Sequence, residues 1–349
     1  MPEEIESENY DDSAAPLSER RGFAPDQLVA CEECLRANPP TRLNCLYCGV
    51  DLPVTEASAA LRRPALKRLE EWEPCFNVVL LPRASDEIPA SAIDDAADWL
   101  GLERVQLREI ASAGCALPIA RANSREDAEL ISTRLGSRGL AVEIFADEVL
   151  TPADAPARRI RALDMTDAAL VGRASSDGEN ISLHWTDVSL LVSGRLFTKR
   201  VEVEARQGRL RRDELVEARE LVEDEAVLDI YPTTTGAGHE GWRIEAESFD
   251  YTCLGEAKGL LARDNFVSLA RTLRERAPAA RFDEDYKRVR HLLAHAWPLV
   301  EHTQSQGLKR ERFGRFNTGA VTIVSNETQF TRYARMIWQL ELRRRAHDR

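Results

Sequence analysis

Cys31, Cys34, Cys45 and Cys48 are the residues of this chain whose type and spacing together dictate a chemistry. They form two Cys-x2-Cys clips separated by ten residues, Leu35 to Asn44, which is the pattern of a tetrahedral zinc site. Each clip puts two thiolates on one tight turn, and Gly49, directly after the last Cys, suits a knuckle whose backbone amides face the sulfurs. Four Cys ligands fill the coordination sphere of one Zn2+. No position is left for a substrate or an activated water, so the expected metal is structural and does no catalysis. A different thiolate metal centre and a redox pair are the competing readings of the same spacing.

The other clusters that could do chemistry are weaker. His291 and His295 stand at i and i+4, with His302 beyond Pro298, but no Glu lies between the first two to serve as a base, and Leu292, Leu293 and Trp297 point to burial. Gly236-Ala-Gly238-His-Glu-Gly241 has the letters of a dinucleotide fingerprint; a strand is expected at Trp242 where a helix would have to begin, so a hairpin turn is the better reading. Lys309-Arg310-Glu-Arg312-Phe-Gly-Arg315-Phe316 interleaves basic and aromatic residues as RNA-binding loops do. Arg36, Asn38 and Arg42 in the zinc segment, with Lys309, Arg310, Arg312 and Arg315, are the candidate contacts to RNA or a partner. Neither a Walker loop nor a nucleophile elbow occurs, and a hydrolase would have to rely on a residue such as His184 or His239 without a motif around it. Cys75, Cys115 and Cys253 are far apart in apolar surroundings and read as buried single thiols.

These residues need elements to hold them, and 349 residues are too many for one ordinary core. With 43% hydrophobic and 30% charged residues the composition is globular. Lys and Arg total 47 against 59 Asp and Glu, a formal charge of -12, which disfavours DNA, bulk RNA or an anionic membrane as partner. An acidic N-terminus without an apolar core, and the lack of any long apolar run, lead to the expectation of a soluble, cytoplasmic protein.

In order, the expected organisation is a disordered acidic tail (1–24), a zinc ribbon (25–54), a helical connector (55–74), a β-α-α-β-α-β domain (75–150), a linker (151–157), a β-rich barrel with a capping helix (158–277) and a helical C-terminal segment (278–349): a multidomain α+β chain. In the α/β part, Phe76 to Leu81 reads as a strand, Pro89 opens a helix that Gly101 stops, and Ser124 with Asp127 caps another. Short strands follow from Arg159, including Phe249 to Leu254. Leu210 to Asp224 reads as a charged surface helix, Asn265 starts a helix, and Asp283 to Trp297 and Asn326 to Arg345 form the last two, with Asn326 and Gln329 as caps.

Three family resemblances accompany these patterns. Cys34-x3-Asn38-x6-Cys45-x2-Cys48-Gly49, with Arg42 three before the third Cys, resembles the Ran-binding-protein type of zinc finger (31–49), a family that binds proteins, ubiquitin or single-stranded RNA. Val29 stands where that family places its base-stacking Trp, and Leu46 where it places a polar residue. Phe76-Asn-Val-Val-Leu80, Ser124-x-Glu-Asp-Ala-Glu129 and Gly139-Leu-Ala-Val-Glu143 resemble the C-terminal domain of the ribosomal stalk protein and the ClpS adaptor fold (76–145), families that bind partner proteins. Pro82-Arg83 replaces the amine-gripping loop of ClpS. The strand pattern of 158–276 resembles bacterial pleckstrin-homology-like domains. Together they imply a non-enzymatic zinc protein that works as an adaptor or scaffold for an unidentified protein partner, with RNA or ribosome association as the alternative and an unrecognised hydrolase as the third reading.

Overall fold

The computed structural model describes residues 23, 28–40, 42, 44–53, 73–82, 88–152, 157–174, 180–207, 213–236, 240–312 and 315–348, with backbone alone at 204–207, 213–217, 306–312 and 315–319. Residues 1–22 of the expected acidic tail and 55–72 of the expected connector lie outside it. The chain divides into two units, Met1–Arg62 and Arg63–Arg349. The first contains β1 (Val29–Ala30) paired antiparallel with β2 (Ala37–Asn38). Its apolar core is Val29, Cys31, Cys45 and Leu52, so little besides the thiols is available to hold it together.

The larger unit begins with β3 (Phe76–Leu80), α1 (Ala90–Leu100), α2 (Arg104–Ser112), β4 (Leu117–Ala122), α3 (Arg125–Gly136) and β5 (Val142–Ala146), the expected β-α-α-β-α-β order. Strand β3 is central and antiparallel to both neighbours. Its pairing with β4 steps from Val78↔Ala120 to Val79↔Pro118. The extra residue, Ile119, makes a bulge beside a proline that has no N–H to give to the ladder. Gly101 ends α1 in the left-handed region, at φ 67°. The Ser124 hydroxyl caps α3 by accepting from the Asp127 amide at 3.1 Å.

After α4 (Asp147–Leu150) and β6 (Arg158–Arg159), the strands β7 (Ala162–Met165), β8 (Ala169–Arg173) and β9 (Asn180–His184) form a meander of their own. The main sheet is built on two 20-residue strands, β10 (Val188–Gln207) and β11 (Asp213–Pro232). Beside them lie β12 (Trp242–Glu245), β13 (Arg281–Asp283), β14 (Val300–Arg312) and β15 (Arg315–Ser325), in the order β14-β15-β10-β11-β12-β6 with β13 on β10. This seven-stranded sheet curls like half a barrel. Helices α5 (Ala262–Arg276), α6 (Tyr286–Leu293) and α7 (Glu327–His347) complete a mixed α+β architecture. Among the described residues no helix is long and apolar enough to cross a membrane.

Several expectations are corrected. Of the surface helix placed at 210–224, the described residues, 213–224, are the outer half of β11: their Glu- and Arg-rich sequence favours a helix locally, but cross-strand pairing with β10 from Val188↔Pro232 to Gln207↔Asp213 overrides that propensity. The strand placed at Phe249–Leu254 is a pair of 3-10 turns, Tyr251–Ala257. The helix drawn over 283–297 is reduced to α6, because Asp283 belongs to β13. The segment 278–349 is not all helical, since the β14–β15 hairpin lies between its helices and adds two strands to the sheet expected to close within 158–277. The capping helix starts at Ala262, three residues early. Gly241 directly precedes β12 at φ +94°, where an added Cβ would lie 2.6 Å from the Tyr231 ring, and β12 pairs antiparallel with β11 as a hairpin requires; residues 237–239 lie outside the described residues.

Segments assigned to separate domains share a core. Val78, Ile110, Leu117, Ile131 and Phe145 from the α/β part belong to the same buried cluster as Leu190, Trp297, Phe330 and Trp338. Polar groups cross this junction too. Asp147 Oδ2 receives the Arg121 guanidinium at 3.1 Å and the Cys75 thiol at 3.1 Å, with Arg332 of α7 at 3.5 Å, while Oδ1 receives Asn77 at 2.9 Å. Trp297 Nε1 donates to Asn77 Oδ1 at 2.7 Å. Removing Asp147 leaves buried Arg121 and Arg332 facing each other without that carboxylate. Asp147→Ala is therefore expected to cost about 3–5 kcal/mol, read as a lowered urea midpoint by tryptophan fluorescence. Gly194→Ala puts a Cβ 2.4 Å from the Phe330 ring of α7 and is expected to cost about 1–3 kcal/mol in the same measurement.

Candidate metal centre

The two cysteine clips fold into near copies of one turn. After Cys34, Leu35 takes φ 57°; after Cys48, Gly49 takes φ 78°. In the first knuckle the Cys31 amide donates to Arg36 O at 3.0 Å and the Leu35 amide to Cys31 O at 2.9 Å. In the second, the Cys45 amide donates to Val50 O at 2.7 Å and the Gly49 amide to Cys45 O at 3.0 Å. The left-handed residue is what lets each turn close on itself. Leu35 bears it at a cost of roughly 1 kcal/mol that a glycine would not incur.

The four sulfurs lie within 4.8 Å of one another, with Cys31–Cys48 and Cys34–Cys45 at 3.5 Å. Tetrahedral zinc thiolates, with Zn–S near 2.3 Å, would place their sulfurs about 3.8 Å apart, so the set is compatible with one zinc ion. Asn38, expected among the contact residues, is fully buried and cannot meet a ligand. Its amide ties the knuckles together, donating to Arg36 O at 2.8 Å and towards Cys45 Sγ at 3.5 Å, and accepting from the Leu46 amide at 2.8 Å. Arg36 and Arg42 are exposed as a contact role requires, and Arg36 lies over the Tyr47 ring at 4.8 Å.

The electrostatics point the same way. Burial pushes the Cys45 thiol up, but the amides of Tyr47 and Cys48 outweigh it, with Cys34 and Asn38 adding to them, and its pKa falls to about 6. At Cys48 the Val50 amide favours the thiolate, yet burial and the three neighbouring thiols win and raise it to about 12. The Cys45 thiolate forms readily, whereas Cys34 and Cys48 are shifted up and resist a second like charge. A cation is what allows all four to ionise together.

The remaining candidates do not converge. Among the described residues these four cysteines are the one group of three or more His, Cys, Asp or Glu placed to hold a metal. His291 is exposed, whereas His295 turns inward with Nδ1 2.7 Å from Leu292 O, and His302 is exposed on β14. His184 is exposed on β9, and His239 lies outside the described residues. Lys309, Arg310 and Arg312 lie on β14 and Arg315 on β15, with Lys309 paired to Asn317 and Arg312 to Arg315 in the backbone register, while residues 313 and 314 lie outside the described residues. Burial raises Cys75 to about 12 and Cys115 and Cys253 to about 11, as for inert thiols. Sequence reasoning missed the exposure of Leu46, Tyr47 and Val50, for which the departure of Leu46 from a polar residue was the available signal. No protein-family model, curated protein or solved structure matches this chain.

Freshly purified, reduced protein is expected to carry about one zinc per chain by elemental analysis. Cys45→Ser should abolish it, and Asn38→Ala should weaken metal retention by roughly 10–100-fold against a chromogenic chelator. Stoichiometric zinc in Cys45→Ser would contradict this assignment.

Proposed function

We propose that this protein is a non-enzymatic, zinc-stabilised adaptor that uses its zinc module to hold a protein partner. One observation carries the reading: Leu35, Leu46, Tyr47 and Val50, on the two knuckles, are 81%, 52%, 55% and 44% exposed. In a unit this small, apolar side chains would be expected to shore up the core. Here they face water, while the metal ligands and Asn38 do the holding, which leaves an apolar surface for association. A closed four-thiolate sphere has no site for substrate, so a structural Zn2+ fits this use. None of the seven cysteines is in a disulfide, which supports a reducing, cytoplasmic setting. The stalk- and ClpS-like resemblance of 76–145 supports the same class of function, since those families bind proteins. The pleckstrin-homology-like resemblance of 158–276 is kept as a likeness of strand pattern.

RNA or ribosome association is the second reading, favoured by the Arg36 guanidinium lying over exposed Tyr47 and by the basic hairpin end. Glu32, Glu33 and Asp51 offset Arg36 and Arg42 around the knuckles, which weakens a phosphate-binding role. Affinity capture from the native cell separates the two. With a protein partner, Leu46→Ser with Tyr47→Ser is expected to abolish capture, and Arg36→Ala with Arg42→Ala to reduce it by less than about threefold. If the arginine pair abolishes capture and nuclease treatment does the same, the adaptor reading is wrong and RNA is the ligand.

A further inference from the structure

A cavity of about 370 Å3 opens in the larger unit, its polar lining supplied by Arg159, Arg243, Glu327, Thr331 and Arg335. Its polar wall is assembled from three places in the chain. Glu327, Thr331 and Arg335 recur at every fourth residue of α7 and so share one face of the helix. Arg243 comes from β12, and Arg159 from β6, which pairs with it.

The guanidiniums are held in place before any ligand arrives. Asp229, fully buried, grips Arg243 through two bonds of 2.8 Å, and Phe330 lies under it at 5.1 Å. Arg243 then reaches Thr331 Oγ1 at 3.1 Å. Arg335 donates to the main-chain oxygens of Val149 at 3.1 Å and Glu240 at 3.2 Å. Arg243 and Arg335 are 3% and 7% exposed. Arg159 stands at the rim, half-exposed, with Glu245 at 3.2 Å from its Nε.

One oxygen in this arrangement is telling. Glu327 Oε1 accepts from Arg159 at 2.9 Å and lies 3.3 Å from Arg243, spanning two guanidiniums across the mouth although its side chain is 44% exposed. That is the position an incoming oxyanion would occupy. We infer that this cavity binds a small oxyanion-bearing ligand, a phosphate or a carboxylate, through Arg159, Arg243, Arg335 and the Thr331 hydroxyl, with Glu327 as the internal competitor it displaces. Planar guanidiniums suit both kinds of oxyanion, and the volume fits a small metabolite. Burial disfavours the charged form of Arg335, a cost that a bound anion would offset.

Calorimetric titration of the full-length, zinc-loaded protein with inorganic phosphate, and separately with citrate, tests this. Binding of phosphate, of citrate or of both at one per chain is expected, the pattern telling a phosphoryl from a carboxylate ligand. Arg159→Gln, at the half-exposed rim and with its urea midpoint measured alongside because Arg159 also pairs with buried Glu245, should weaken it by roughly tenfold, as for one lost charge-assisted contact. Arg335→Met should weaken it further. Glu327→Gln should tighten it several-fold, an effect that a merely structural carboxylate would not give. The inference is overturned if neither probe binds up to about 10 mM, a very weak affinity, or if binding is the same in Arg159→Gln as in the parent protein.

Discussion

Helix α7 must bury charge. Arg332, Arg335 and Glu341 are at most 7% exposed, as are Asn326 and Gln329 at its start, alongside Phe330, Tyr333, Ile337 and Trp338. Most helices that are buried all round are apolar all round; this one has to find a partner for each polar group or lose a few kcal/mol apiece. The partners come from far along the chain. Asn326 takes the Phe197 amide at 2.6 Å, Gln329 gives to Trp297 O at 2.7 Å, and Tyr333 reaches Asp283 at 2.8 Å. Trp338 gives to Pro232 O at 2.8 Å, and Arg345 to Ser189 O at 3.2 Å. A shift of the helix by one residue would break most of these at once, so the last long helix of the chain fixes how the strands and the α/β part meet.

The two units are held together in different ways. In the smaller unit four clustered thiols and one buried asparagine stand where a larger core would be, and a bound metal would supply folding free energy on the order of 10 kcal/mol, as in comparable peptides. The larger unit has ample apolar surface, and its buried ions add specificity: Asp147 has two arginines and Asn77 around it, and Asp229 has Arg243 and Tyr231. Such groups add little net stability when paired and are expensive when not. They select one packing among several that hydrophobic burial alone would allow. The arginine-lined cavity follows from the same arrangement: the buried Asp229 carboxylate orients Arg243, and main-chain oxygens of Val149 and Glu240 orient Arg335.

The four-cysteine cluster was legible in the sequence because its information is local: thiols spaced as two clips within eighteen residues are brought together by two knuckle turns, an arrangement compatible with a tetrahedral thiolate site. The β-α-α-β-α-β segment was legible for the same reason, since Pro89, Gly101, Ser124 and Gly139 mark its turns and caps directly. Asn38 shows the limit. Its identity fits a zinc finger, but only its burial shows that it serves the sulfurs and cannot serve a ligand.

Where local preference and long-range pairing disagree, tertiary structure decided. Residues 218–224 of β11 are exposed on both faces, so they carry no alternating pattern, and the Glu, Arg and Leu content of this stretch points to a helix until β10 is there to pair with it. Asn326 reads as a helix cap, yet its side chain bonds Phe197, Arg195 and Tyr286 in preference to the first turn of its own helix. Arg159, Arg243 and Arg335 carry no signal in common, being up to 176 positions apart and each surrounded by ordinary strand or helix sequence. Spacing along the chain determines chemistry only when the chain itself brings the ligands together within a turn or two. For groups separated by a whole sheet, that juxtaposition is set by packing.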